Sequence, residues 1–354
     1  MKNNNKKISQ ITLSNNLEKA KDKKDSLESW IQAYFQFEVT TTQLSKREQT
    51  RDLNYFLKFM QNECGNDNPD NWTPRLSADY KNYLRECINT KGERRWGDRT
   101  INRMTATLKT FAKWLNKHRP FVLGNPMEKI KTLATASLLE IDKAITNQER
   151  RRILDAADIL IETGGLSKDR KRYKTAETAT RPKRKNYRPW RNRAIIYCLT
   201  ETGMRRAAIT KLRIEDIDFN SRTIKALEKG DIFHEYSISR EGINAIRDYI
   251  EKERGDDEIY YGKATLFLPA GGTQNKTGIL NPNAINEIWD HICEKARVIN
   301  RTPHSARHAM GRHIIAKTGN IAAVQRQLGH KNAAYSIQYS RVTKEEMDSV
   351  LNDR

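Results

Sequence analysis

No apolar run in this 354-residue chain is long enough to cross a bilayer, and the mean hydropathy of −0.84 argues against a membrane span. The opening residues MKNNNKKISQ lack the apolar core of a secretory signal. Cysteine is sparse: Cys64, Cys87, Cys198 and Cys293 lie too far apart for a metal motif or a disulfide scaffold. Acidic side chains are outnumbered, 44 against 65 Lys and Arg, which leaves a net charge of +21. Such an excess draws polyanions through counterion release and steers association, but it reads no sequence. A reducing cytoplasm is the expected compartment, with the nucleoid or a plasmid as the place of work.

Against that background, three segments carry chemistry-bearing residues in a fixed order. ETGMRRAAITKLRIEDID begins at Glu201, TPHSARHAMGRH at Thr302 and QRQLGHKNAAYSIQYSRVT at Gln325. They line up two arginines, two histidines and a tyrosine, a set suited to cutting and rejoining a phosphodiester without water or a metal. Planar guanidinium groups match the non-bridging oxygens of a phosphate with forked, charge-assisted hydrogen bonds, which makes Arg205 and Arg307 the candidate clamp. A tyrosine phenol titrates near pH ~10, so Tyr339 needs a proton acceptor or a strongly positive site to act as nucleophile. His304 and His330 are the available imidazoles. The three-residue step from His304 to Arg307 puts both on one helix face. The leaving sugar oxygen needs a proton, and Lys229, at the tip of a hairpin expected in KALEKGDIFHEYSIS, is placed to give it.

These segments resemble the motifs of the tyrosine recombinases, the phage integrase family. TGMR followed by KLRIEDID resembles the first arginine motif, HSARH the HxxR motif, and LGHKNAAYSIQYSRV the closing segment, whose spacing from His330 lands on Tyr339. One motif alone is weak, but the ordered set is specific. The resemblance implies Arg205 and Arg307 as phosphate ligands, Lys229 as general acid, and His304 as a base or hydrogen-bonding partner. His330 becomes a second phosphate or transition-state contact, and Tyr339 the nucleophile. It implies double-stranded DNA with an inverted-repeat core site as partner, a dimer on each duplex and a homotetramer on two, accessory DNA-bending proteins, and neither cofactor nor metal. Two positions depart from the pattern. The acidic residue expected three positions after Arg205 is Ala208, so whatever orients Arg205 comes from elsewhere. The glycine-lysine-glycine setting of the lysine is Glu228-Lys229-Gly230, with Lys225 on the same hairpin as the competing candidate.

Apolar spacing organises the rest into a mainly α chain with a small β-sheet: a helical DNA-clamping domain, then a mixed α+β catalytic domain. Residues 1–25 are Lys-, Asn- and Ser-rich and expected to stay disordered until a partner binds. From 26 to 135, Trp30, Tyr34 and Phe37, then Leu53, Phe56, Leu57 and Met60, then Ile101, Met104, Leu108, Phe111 and Leu115 recur at helical spacing. RTINRMTATLKTFAKWL and NPMEKIK resemble the family's clamping domain and its exit, which would set Arg103, Lys109 and Lys113 against DNA. Residues 136–145 read as a linker, and the capping-box pattern Thr146-Asn147-Gln148-Glu149 opens a catalytic domain of residues 146–354. RTIKALE and HEYSIS read as a hairpin and TLFLP as a further extended segment. A basic insertion, residues 167–190, is expected to neutralise phosphates, and the tail 340–354 to form a short helix that docks on a neighbour. The family resemblance implies that the two domains close around the duplex as a C-shaped clamp.

Competing readings are bland or close. His304, His308 and His313 have the spacing of zinc ligands on a helix, yet the acid of an HExxH motif is missing and no cysteine is near. Arg206 reads as a surface charge. A type IB topoisomerase shares the chemistry, and a catalytically silent DNA-binding regulator of the same fold is the alternative outside enzymes, with Ala208 as its only hint.

Overall fold

The computed structural model describes residues 25–37, 43–134, 143–166, 184–228, 232–262, 265–271, 275–330, 332–340 and 351–352. The first 24 residues, most of the linker, residues 167–183 of the basic insertion, Lys229 and most of the tail lie outside them. The chain divides into two compact units, residues 1–138 and 139–354.

The first unit is built on α1 (Leu27–Phe37), α2 (Gln43–Cys64), α3 (Pro74–Glu86) and α4 (Asp98–His118). The apolar positions expected to share one face do so, since Trp30, Tyr34, Leu53, Phe56, Met60, Ile101, Leu108, Phe111 and Leu115 form one buried cluster. Its centre is aromatic: Tyr34 meets Phe111 and Trp114 edge-on at 5.4 and 5.3 Å, a geometry that aligns ring edge with ring face. Arg103 is tied into the unit at one end of its guanidinium. Its guanidinium pairs with Asp52, a fully buried carboxylate on α2 that also accepts from Thr107 Oγ1 at 3.1 Å. Burial raises the Asp52 pKa while Arg103 lowers it, so this pair braces α2 against α4.

The second unit starts at the expected capping box: Thr146 Oγ1 accepts from Glu149 N and the Glu149 carboxylate accepts from Thr146 N, opening α5 (Asn147–Thr163). The central element is α6 (Pro189–Thr202). Its run Ala194–Leu199 is buried on every side, and α5, α8 (Arg240–Tyr249) and a later helix, α11 (Pro303–Thr318), pack around it. A short helix, α7 (Arg206–Ile209), leads to an antiparallel sheet in the order β1 (Ile217–Asp218), β2 (Thr223–Glu228), β3 (Ile232–Ser237). The hairpin was expected, and β1 adds a short third strand beside it. Beyond α8 the helix passes through a π turn, Ile250–Arg254, into α9 (Gly255–Tyr261). The chain then runs through α10 (Pro282–Lys295), α11, α12 (Ile321–Leu328), α13 (Ala333–Ile337) and the 3-10 turn Gln338–Ser340.

TLFLP is buried but is not a strand. Guanidinium groups take the place of a neighbouring strand: Arg254 donates to Leu266 O and Thr265 O at 3.0 and 2.9 Å, and Arg191 donates to Leu268 O at 2.8 Å. Buried carbonyls must be paired by something, and here side chains do it. The described end of the basic insertion is also built into the domain. Arg188 binds Asp257 with two hydrogen bonds of 2.7 and 2.6 Å, and Pro189 is the first residue of α6. Tyr187 lies so close to Gly164 and Gly165 that a Cβ at either would sit within 2.3 Å of its ring or hydroxyl. Both feet of the insertion are thereby pinned together.

Candidate active site

Two helix ends converge on one helix. Gly203 closes α6 in the left-handed conformation, Gly329 closes α12 the same way, and α11 runs between them. Arg307, on α11 and only 3 % exposed, spans the gap by donating to Gly203 O at 2.7 Å and to Leu328 O. Those are carbonyls at helix C-termini, which carry partial negative charge and attract a cation. Two of the five donors of the fork are used this way. Burial pulls the Arg307 pKa down, and Arg205 lowers it further, while Tyr236 and Glu228 oppose them.

Arg205 sits at the N-terminus of α7 with 37 % of its side chain exposed. Its Nη1 donates to Glu228 Oε2 at 2.6 Å, and the other oxygen of Glu228 accepts from the Tyr236 hydroxyl. Glu228 is buried at the end of β2, and although burial raises its pKa, the bonds from Tyr236 and Arg205 outweigh that and hold the carboxyl below its ordinary value. Strand alternation explains the placement: Ile224, Ala226 and Glu228 face inward, whereas Lys225 faces out, with Nζ 5.2 Å from the centre of the Phe233 ring. Lys225 therefore stands on the opposite face of β2 from the carboxylate that binds Arg205.

His304 opens α11 beside Arg205, Arg206 and Asp290 at a cleft of about 510 Å³. Desolvation first, then the charges of Arg307, Arg205 and Arg206, hold its imidazole below the usual histidine range. His330 follows Gly329, and its Nδ1 is 2.9 Å from Ser336 Oγ, which fixes the ring. Desolvation, then the charges of Arg307 and Arg205, push its pKa down to about 4, so at neutral pH it is an uncharged imidazole.

Tyr339 lies in the 3-10 turn after α13, 4 % exposed, against Val324 and Leu328. Its ring stacks parallel to His330 with centroids 6.1 Å apart. Room for it exists because residue 311 is glycine: a Cβ there would lie 2.8 Å from the ring. The phenol oxygen is 2.9 Å from His308 Nδ1, not bonded to His330. Burial pushes the Tyr339 pKa up to about 12, against the opposing pull of Arg307 and Arg205, so the docked phenol keeps its proton at neutral pH.

Sequence reasoning missed Glu228, Tyr236, Ser336 and the Tyr339 bond of His308. One signal for Glu228 was available, because the turn departs from the expected glycine at the position where an acid appears. His304, His308 and His313 share α11, and among the described residues no three His, Cys, Asp or Glu side chains are grouped to hold a metal ion. Nor, among them, is any helix long and apolar enough to cross a membrane.

The phage integrase family profile matches residues 173–346. Tyrosine recombinase XerC of Halalkalibacterium halodurans is 23 % identical over 306 residues, covering 84 % of this chain and 87 % of the relative. The chain is a member of the tyrosine recombinases. XerC of Bifidobacterium longum subsp. infantis is 26 % identical over 280 residues, with 70 % of this chain and 77 % of the relative covered. The solved XerH site-specific recombinase, bound to a palindromic difH substrate in a post-cleavage complex, aligns at a TM-score of 0.64 with 16 % identity, over 92 % of this chain and 82 % of XerH. The Tn1549 transposon integrase in complex with transposon right end DNA aligns at 0.63 with 15 % identity, over 93 % of this chain and 99 % of the integrase fragment. At such identities these structures establish the shared, mostly helical fold with its small sheet.

Proposed function

We propose that this site-specific tyrosine recombinase cuts and rejoins double-stranded DNA at a core of inverted repeats, holding each cut strand on Tyr339. The Tyr339 oxygen forms a bond to phosphorus as the bond from phosphorus to the 5′ oxygen breaks, leaving a 3′-phosphotyrosine and a free 5′-hydroxyl. The phenol loses its proton, for which His304 is the assigned base or hydrogen-bonding partner, and Lys229 donates one to the leaving oxygen. Arg205 and Arg307 bind the non-bridging oxygens, with His330 as a further contact. The exchanged hydroxyl then attacks the phosphotyrosine, so bond energy is conserved without ATP. A dimer on each duplex and a tetramer on two are the assembly this exchange requires, with the nucleoid or a plasmid as its location. Service to a mobile element and resolution of chromosomes or plasmids both fit.

The observation that carries this reading is a convergence: Arg307 bonds the carbonyls of Gly203 and Leu328, which brings the segments of Arg205 and His330 together, and Tyr339 stacks on His330. A nicked duplex carrying an inverted-repeat site that the protein binds, incubated with the protein and a chelator but no nucleotide, is expected to trap a covalent 3′ adduct. A failure to trap any adduct on a site that the protein binds would leave the silent DNA-binding reading standing. Relaxation of supercoils without exchange of partners would favour the topoisomerase reading.

Lys229 is assigned as the acid because it adjoins a turn glycine, and Lys225 faces the other side of β2. A substrate with sulfur at the 5′ bridging position has a leaving group that needs no proton. Lys229→Ala is expected to cut it far faster than the oxygen substrate. The same rescue in Lys225→Ala, and not in Lys229→Ala, would reverse the assignment.

A further inference from the structure

We infer that Glu228 is the positioning residue of Arg205. A long guanidinium side chain loses much rotamer freedom when it is fixed, so it serves as a preorganised clamp only where something holds it beforehand. Position 208, where the resemblance expects an acid, is an alanine buried at 2 % exposure in the apolar core, and it supplies no carboxylate. Glu228 takes over from the strand. One of its oxygens receives the 2.6 Å bond from Arg205 Nη1, and the other is engaged by Tyr236, which is itself fully buried.

Three features make this more than a surface ion pair. Glu228 is buried and both its oxygens are bonded, so its own orientation is fixed. Arg205 keeps 37 % of its side chain exposed, leaving donors free for a phosphate. Tyr236 and Glu228 also act on Arg307, so one carboxylate-phenol unit supports both arginines. Glu228 directly precedes Lys229 in the chain, so the residue that orients the first arginine belongs to the strand that leads to the assigned acid.

This inference rests on the clamp role proposed for Arg205, and its test separates the two. Cleavage is measured in single turnover on a duplex with an ordinary scissile phosphate and on one with a methylphosphonate there, as both stereoisomers. The methyl group removes the charged oxygen that a guanidinium would grip. Arg205→Ala is expected to lose far more rate on phosphate than on one methylphosphonate isomer. Glu228→Gln is expected to shift that ratio the same way, with a loss on phosphate on the order of 10- to 100-fold and unchanged DNA affinity. Glu228→Asp keeps the charge with a shorter reach and should fall between, and it carries the same test if the glutamine variant does not fold. Equal losses on both substrates would make Glu228 a structural residue only. Full activity in the Glu228 variants beside a defective Arg205→Ala would overturn this inference alone, and full activity in Arg205→Ala would overturn the clamp beneath it.

Discussion

Arg205→Ala and Arg307→Ala are each expected to lower strand cleavage by at least roughly 10²- to 10³-fold while DNA affinity changes little. The asymmetry follows from where the interactions act. A donor aimed at charge that develops in the transition state is worth about 3–4 kcal/mol, whereas binding is spread over many phosphates and one loss is diluted. The two variants should differ in stability. Arg205 is partly exposed and its removal leaves Glu228 still bonded to Tyr236. Arg307 is buried, and its removal strands the carbonyls of Gly203 and Leu328, each at a cost of about 1–3 kcal/mol. The thermal midpoint should therefore fall clearly in Arg307→Ala and little in Arg205→Ala. Cleavage at the wild-type rate in either variant would remove that arginine from the clamp.

What the sequence exposes and what it hides divide along the range of the interactions. The helical stripes of the first unit and the capping box at Thr146 are local, set by spacing and by a residue three positions on, and the structure repeats them. The hairpin was legible for the same reason. TLFLP joins no strand, and its carbonyl partners, Arg191 and Arg254, come from elsewhere in the chain, which no local pattern records. The partner of Arg103 was hidden in the same way, because nothing nearby in sequence announces Asp52, 51 positions away.

The site divides in the same way. The order of Arg205, His304, Arg307, His330 and Tyr339 could be read, since motif spacing carries it. The supports could not: Glu228 reaches Arg205 across 23 positions, and His308 reaches Tyr339 across 31. His308 drew notice in the sequence only for a zinc-like spacing, and it bonds the candidate nucleophile. The consequence is chemical, because a docked phenol with a pKa of about 12 must give up its proton before it can attack.

Tyr339→Phe is expected to bind and synapse DNA but form no covalent adduct, whereas Tyr335→Phe should still form one. The two tyrosines are easily confused, since the His330 ring lies 6.1 Å from Tyr339 and 6.2 Å from Tyr335. Their settings differ. Tyr335 is on α13 with 42 % of its surface exposed, while Tyr339 is buried in the following 3-10 turn over Gly311, stacked on His330 and within the field of both arginines. In-line attack on a phosphate tolerates little displacement, so one site serves only one of them. Phenylalanine at 339 fills the same space and gives up one hydrogen bond to His308, a net change of about 1 kcal/mol, so the fold should survive and the lost adduct will report chemistry. Peptide mapping of the trapped adduct decides between them. A phosphotyrosine recovered at Tyr335, or an adduct persisting in Tyr339→Phe, would take the nucleophile away from Tyr339.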